Sequence, residues 1–239
     1  MQVNWNVIKM LLLLVITVFL FAFASARNEE RSISNPKVTF VGENNLFITN
    51  EAVSKLLIQN FEGTKKVSKE TLDLNELENA LKSNPMIKTA EVYVAVNGTL
   101  NAEVEQKTPV ARVSTNASYY IDDEGKFMPL SRNYAARVPL VTGYVEKNDL
   151  KNIYQIARKV QDDDFLKKHV IEIHQDIKGK FFLRLRRCDF NVEIGDLYYL
   201  DKKVNNLKAF YKKNLKDKTL NNYSKVNLQF ENQVIGTKI

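Results

Sequence analysis

The chain has one cysteine, two histidines and eight glycines among 239 residues. Each scarcity closes a class of chemistry. A lone Cys188 excludes an internal disulfide and any multi-cysteine metal centre. So little glycine leaves no Gly-rich loop of the kind that cradles phosphate. His169 and His174 stand five residues apart in or beside an expected strand, so they point to opposite faces, a poor geometry for one metal. Arg187 beside Cys188 is the type of neighbour that lowers a thiol pKa, but no histidine is near in sequence, and an ordinary free thiol is expected. The acidic triplets Asp122-Asp123-Glu124 and Asp162-Asp163-Asp164 lack the glycine and distal glutamate of a calcium loop; they read as a turn and a helix end. No catalytic, cofactor-binding or metal-binding residue is assigned, and an enzyme would have no catalytic set to use.

Charge of one sign is not concentrated either. The formal net charge is +7, but Lys and Arg are scattered among acids. Only Lys202–Lys218 is locally rich in lysine. Nucleic-acid binding calls for a basic stripe with interleaved aromatics on a known module, and none is present. The stretch reads as a solvated helix face that also suits an anionic membrane surface. Asn97-Gly98-Thr99, Asn116-Ala117-Ser118 and Asn222-Tyr223-Ser224 are formal glycosylation acceptors, and the first is better explained as a turn. No internal repeat or long low-complexity segment occurs.

One long apolar run is present, Met10–Ala26, seventeen residues without a charge. A hydrocarbon core of ~30 Å needs about 20 helical residues, with about 17 the lower limit. Trp5 takes an interfacial position and Lys9 can snorkel, so a membrane anchor is expected. The alternative is a cleaved signal peptide, for which Ala24-Ser25-Ala26 has the small-x-small pattern. Either sends the remaining chain across a membrane. Arg27 and Arg31 balance Lys9 and the amino terminus, so charge alone does not set orientation.

After a polar linker, Val38–Gly42 reads as a short strand. Thr49 or Asn50 caps a helix bearing Val53, Leu56 and Leu57 on one face. Residues 60–70 read as a charged turn. Asp73 with Glu76 forms a capping box for a second helix carrying Leu74, Leu77 and Leu81, which ends before Pro85. Ala90, Val92, Val94 and Val96 alternate with polar neighbours, and Leu100, Ala102 and Val104 do so beyond Asn97-Gly98, the pair favoured in a type I′ hairpin turn. Strand–helix–helix–strand–strand is a compact α+β domain.

Pro109 starts a second module. Tyr119–Ile121 and Phe127-Met128 flank a turn at Asp122–Gly125. A helix opened by Asn148 or Asp149 carries Leu150, Ile153, Ala157 and Val160. Strands are expected at Val170–His174, Lys180–Arg186 and Phe190–Ile194, with Phe181, Leu183 and Leu185 on one face of the middle one. A helix from about Leu200 to Leu215 buries Val204, Leu207 and Phe210. A last strand, Val226–Ile235, alternates Val226, Leu228 and Phe230.

These residues resemble the bacterial FtsQ/DivIB cell-division family. Val38–Gly42 resembles the first strand of its POTRA domain, and Leu72-Asp73-Leu74 the opening of the second helix. Asn84-Pro85-Met86-Ile87 running to Ala90-Glu91-Val92 is similar to its Asn-Pro element, and Glu103–Ala111 to the close of the domain. Tyr120–Phe127 resembles the entry to the second domain, Leu140–Gly143 and Ile194-Gly195 two later elements. This chain departs from the pattern at Asn227-Leu228-Gln229-Phe230, which loses a charged pair, and at Met86, which replaces a tryptophan.

The resemblance implies an α+β architecture: a tail at 1–9, a transmembrane helix at 10–26, a linker at 27–36, a β-α-α-β-β POTRA-like domain at 37–113, and a second domain at 114–239. The second has a mostly antiparallel sheet and two helices. It further implies a single-pass protein of the inner membrane, N-terminus in the cytoplasm and domains in the periplasm at the septum. The implied role is a non-catalytic scaffold that binds an FtsB–FtsL-like pair, with FtsW/FtsI-like synthase and FtsK-like proteins as further partners. The C-terminal strand would be the edge that accepts a partner strand, through Gln229, Phe230, Glu231, Asn232, Gln233, Val234 and Ile235. Alternatively, residues 236–239 cover that edge. Lys88–Val96 and the helix Thr49–Gln59 would be the septum-targeting surfaces; alternatively, their outward residues are only solvated. Lys202, Lys203, Lys208, Lys212 and Lys213 are solvated or meet acidic groups of a partner. A POTRA-bearing export component is the other reading, although such proteins carry repeated POTRA units or a membrane barrel.

Overall fold

The computed structural model describes residues 5–29, 34–43, 45–61 and 73–239. The expected turn at 60–70 and the residue Leu72 therefore lie almost wholly outside the described residues. Helix α1, Trp5–Glu29, contains an apolar span at Ile8–Ser25 that is long enough to cross a membrane by length and composition. Its 25 residues rise about 37 Å. The Ala24-Ser25-Ala26 segment lies inside this helix.

The chain divides into two units, Met1–Gln106 and Lys107–Ile239. In the first, β1 (Ser34–Val41), α2 (Asn50–Phe61), α3 (Leu74–Lys82), β2 (Ile87–Val94) and β3 (Thr99–Gln106) follow in order. The sheet runs β1-β3-β2, with β1 parallel and β2 antiparallel to the central β3. Alternation puts Ala90, Val92, Leu100, Ala102 and Val104 on one face, where Val53, Leu57, Leu77 and Leu81 cover them. Each of the valine and leucine side chains contributes roughly 1.5–3 kcal/mol on burial. Asp73 caps α3, its Oδ1 accepting from the amides of Asn75 at 3.0 Å and Glu76 at 3.1 Å. Thr49 caps α2 through the Ala52 amide. Gln106, buried at the end of β3, accepts from the amides of Phe47 and Ile48 and donates to the Ile48 carbonyl, which pins the loop before α2.

The hairpin turn differs from expectation. The Gly98 amide donates to Ala95, and the Ala95 amide donates to Thr99. Gly98 alone has positive φ, +88°. This is a three-residue loop with a bulge glycine rather than a type I′ pair, which needs two positive-φ residues. Val96 consequently sits in the turn, 84% exposed, and not on the apolar face.

The second unit comprises β4 (Pro109–Ser114), β5 (Ser118–Asp122), β6 (Phe127–Met128), β7 (Leu140–Gly143), α4 (Lys151–Asp162), α5 (Asp164–His169), β8 (Val170–Gln175), β9 (Phe181–Leu185), β10 (Asn191–Gly195), α6 (Leu200–Lys216), β11 (Tyr223–Asn227) and β12 (Ile235–Lys238). They build one nine-stranded sheet in the order β12-β11-β10-β9-β8-β7-β4-β5-β6. Five neighbouring pairs are antiparallel; β4–β7, β7–β8 and β10–β11 are parallel. Phe181, Leu183, Leu185, Val192, Ile194 and Val226 share one buried cluster with Ile153, Val160, Val204 and Leu207 of the helices.

The helices of this unit differ from expectation in two respects. A third helix, α5, stands where two helices were expected in this unit; Leu166 is its one buried residue, too little for a periodic signal. Asp163 caps it through the amides of Phe165 and Leu166. Helix α4 opens at Leu150 with no side-chain cap, so neither Asn148 nor Asp149 serves as one.

The Asp122 turn is built tightly. Its carboxylate is fully buried, accepting from Lys107 Nζ at 2.7 Å, the Lys126 amide at 2.7 Å and the Glu124 amide at 3.1 Å. Gly143, at φ +86°, ends β7 where a Cβ would lie 2.0 Å from the Gln175 carbonyl oxygen. Only a bare Cα fits there.

Candidate functional site

A sheet binds other chains at its edges, where backbone groups lack partners. In the first unit β2 is one edge, but α3 reaches across it: the Val92 amide donates to Glu78 Oε1 at 3.0 Å. That amide bond, with Lys82, holds the Glu78 carboxyl below its usual range. The outer side of α2, with Asn50, Ser54, Lys55 and Ile58, lines a shallow open cavity of about 480 Å³. In the second unit β6 is one edge and only two residues long. The other edge is β12.

β12 is placed by β11, which runs parallel to β10 and pairs antiparallel with it through Asn227–Ile235, Val226–Gly236 and Lys225–Thr237. Gly236 makes this possible. A Cβ there would stand 2.6 Å from the Tyr223 ring, so the ring lies over a bare Cα. Phe210 of α6 meets that ring at 5.1 Å, edge-on, and meets Phe190 at 6.0 Å. All four residues of β12 are exposed. The Ile239 amide donates inward to Asn222. Backbone direction alternates along a strand, so Ile235 and Thr237 also face β11 while Gly236 and Lys238 direct N–H and C=O outward.

The expected single strand Val226–Ile235 is corrected by this geometry. Alternation holds through Val226 and Leu228, both fully buried, and then stops. The Leu228 amide donates to Glu193. The Gln229 side chain packs over Gly195 and donates to Glu193 Oε1, and its amide donates to Asn227 Oδ1. These bonds turn the chain out of the sheet. Phe230 is 46% exposed instead of continuing the apolar face. Glu231 pairs with Lys202, and its carbonyl accepts from Asn206 at 3.4 Å. Asn232 and Gln233 are exposed in the connector, and Val234 packs against the core. Of the seven anticipated residues, only Ile235 lies on the edge strand, joined there by Gly236, Thr237 and Lys238. Residues 236–238 do not cover the edge; they form it.

The lysines of α6 differ among themselves. Lys203 is 3% exposed, its Nζ bonding the Asp196 carbonyl and Oδ1, each at 2.8 Å. This bond depresses the Asp196 carboxyl. Lys208 pairs with Asp163, while Lys212 and Lys213 are exposed. His169 and His174 do not share a site: His169 ends α5 among aromatic rings, and His174 lies on β8 with Nδ1 2.9 Å from Thr142 Oγ1. Burial, with Asp189 beside it, pushes the Cys188 thiol up to about 11, opposite to an activated cysteine. Among the described residues no three His, Cys, Asp or Glu side chains are grouped to hold a metal.

A family model described as FtsQ/DivIB, C-terminal related, matches residues 108–237, and one for a POTRA-like domain matches residues 42–105. The chain is similar to the cell division protein FtsQ of Geotalea daltonii, 26% identical over 180 residues, which cover 70% of this chain and 64% of that protein. It is also similar to FtsQ of Myxococcus fulvus, 35% identical over 74 residues, 30% of this chain and 26% of that protein. The chain thus spans less than two thirds of the length of these curated relatives.

Proposed function

The chain belongs to the FtsQ/DivIB, C-terminal related family, and from that premise we propose that it is a non-catalytic scaffold of bacterial cell division. Its helix α1 anchors it once in the inner membrane, with the N-terminus in the cytoplasm and both units in the periplasm at the septum. There it holds an FtsB–FtsL-like pair, and through that pair it influences the FtsW/FtsI-like machinery of septal peptidoglycan synthesis; FtsK-like proteins are further partners.

The observation carrying this reading is the exposed edge strand β12. A partner strand laid along it completes the outward groups of Gly236 and Lys238, main-chain bonds supplying affinity and adjacent side chains selecting the sequence. Four main-chain groups at about 0.5–1.5 kcal/mol each give about 2–6 kcal/mol before ordering costs. The connector residues Gln229–Val234 flank the strand and contribute side-chain contacts, Phe230 foremost.

Proline tests the edge directly. Lys238→Pro removes an outward donor and leaves the bonds to β11 intact. The chain of residues 1–239 carrying it should melt like wild type yet lose capture of the co-expressed FtsB–FtsL-like pair. Undiminished capture by the folded variant would refute the edge-strand reading. A fluorescent fusion should concentrate at midcell during constriction; an even distribution around the envelope would instead favour a POTRA-bearing export component.

A further inference from the structure

His169 closes a ring of aromatic contacts between α5 and α6. Its imidazole lies 4.7 Å from the Phe165 ring and 4.9 Å from Tyr211, and those two rings meet at 5.1 Å. Tyr211 is followed back along α6 by Phe210, whose ring carries Tyr223, and Tyr223 covers Gly236 of the edge strand. Ring contacts thus reach α6 from His169 at Tyr211 and leave it for the proposed binding strand at Phe210, the helix backbone joining the two sets.

The groups facing His169 oppose its positive charge. From its own helix comes Lys168; from the turn after β9 come Arg186 and Arg187. From α6, Lys208 and Lys212 line the same open cavity of about 590 Å³. The acids at that cavity are mostly engaged: Asp163 holds Lys208 and two amides, and Asp162 holds Arg158 at 3.0 Å. Asp164 is exposed on its rim. Cys188 and Tyr211 both titrate above their ordinary values, chiefly through burial, and stay neutral here.

We propose that His169 is a proton-sensitive wedge that couples envelope acidity to the order of the β12 edge. Neutral, it packs against both Phe165 and Tyr211 as the third ring of the cluster. Protonated, it is driven toward water by desolvation and by the neighbouring cations, α6 loses its seat at Tyr211, and the Tyr223 cover over Gly236 loosens. The sign follows from the direction of the shift. Burial, then Lys168, Arg186 and Arg187, hold its folded pKa below the usual histidine value. The stabilisation is thus complete above the unfolded pKa and is lost as pH falls through the lower, folded one. This inference rests on β12 being the binding edge for its biological meaning, but the edge can be tested with no partner present.

The experiment is amide hydrogen exchange on the full chain in nanodiscs, with rates corrected for intrinsic pH dependence, between about pH 7.5 and about pH 5. Protection at Gly236–Lys238 should fall several-fold in wild type, with β8 and β9 unchanged. His169→Phe, or His169→Gln should the first not fold, should remove that fall. An equal fall in wild type and a folded variant, or none in wild type, would overturn the wedge. Loss of capture in Lys238→Pro is a separate outcome, so failure of the pH response leaves the scaffold reading standing, and the reverse.

Discussion

Removing the carboxylate of Asp122 should unfold the second unit well below the wild-type melting temperature. The side chain has no exposed surface and satisfies three donors, Lys107 Nζ and the amides of Glu124 and Lys126. Bonds to a charged group contribute about 1.5–3 kcal/mol each, but one cavity and one turn are shared among them, so the three do not add. The more direct comparison is a buried ion pair losing one member, about 3–5 kcal/mol, because the ammonium of Lys107 remains with 16% of its side chain exposed. For a unit of this size about 1 kcal/mol moves the midpoint by roughly 3–5 °C, so Asp122→Ala should lower it by about 10–20 °C. Asp122→Asn keeps an acceptor for the two amides and should fall between. Pairing Lys107→Met with Asp122→Asn should recover part of the loss, since the unpaired cation is then gone. Differential scanning calorimetry on the full chain measures all four proteins. A fall of under about 3 °C for Asp122→Ala would show that water replaces the carboxylate at little cost, and the reasoning would be wrong.

In the first unit, Glu78 is held ionised chiefly by the Val92 amide and then by Lys82. Its stabilising share is therefore present above the unfolded carboxyl pKa and lost as pH falls through the folded one; Glu78→Gln should flatten the acid limb of the stability curve and speed exchange at the Val92 amide. Gly143→Ala should cost more than about 2 kcal/mol, through both left-handed backbone and the clash with the Gln175 carbonyl, in chemical denaturation. With its thiol up at about 11 against an ordinary 9.0, Cys188 should be alkylated about a hundredfold more slowly near pH 8 in the folded chain than in the unfolded one. Equal rates would mean that the turn after β9 opens freely.

Much of the fold is legible because period and caps are local. Ala90-Val92 against Leu100-Ala102-Val104 announces the hairpin, and Asp73 announces α3, since each signal lies within a few residues. Turn type is less legible: Asn-Gly serves a type I′ turn and a bulged loop alike, and which forms depends on where β2 stops pairing. The end of the last strand is hidden for a different reason. Leu228 and Phe230 carry the same alternation on paper, but Glu193 on another strand captures the Leu228 amide and the Gln229 side chain, 36 residues away for the latter. That long-range choice moves the open edge from Gln229–Ile235 to Ile235–Lys238. Lys203 likewise reads as solvated because its partner Asp196 lies in the turn before α6, outside the helix pattern.

The parallel pairing of β10 with β11 has a consequence for the order of assembly. β11 cannot reach its neighbour until residues 196–222, the whole of α6 and the turn after it, have closed back on the sheet. Such non-local pairing is slow to form, and β12 can only follow it. The edge strand β12 therefore forms late, after α6 has closed on the sheet. If β12 is the binding edge, as proposed, an incompletely folded copy has no strand to offer a partner, and the same topology that builds the edge also withholds it until folding has succeeded.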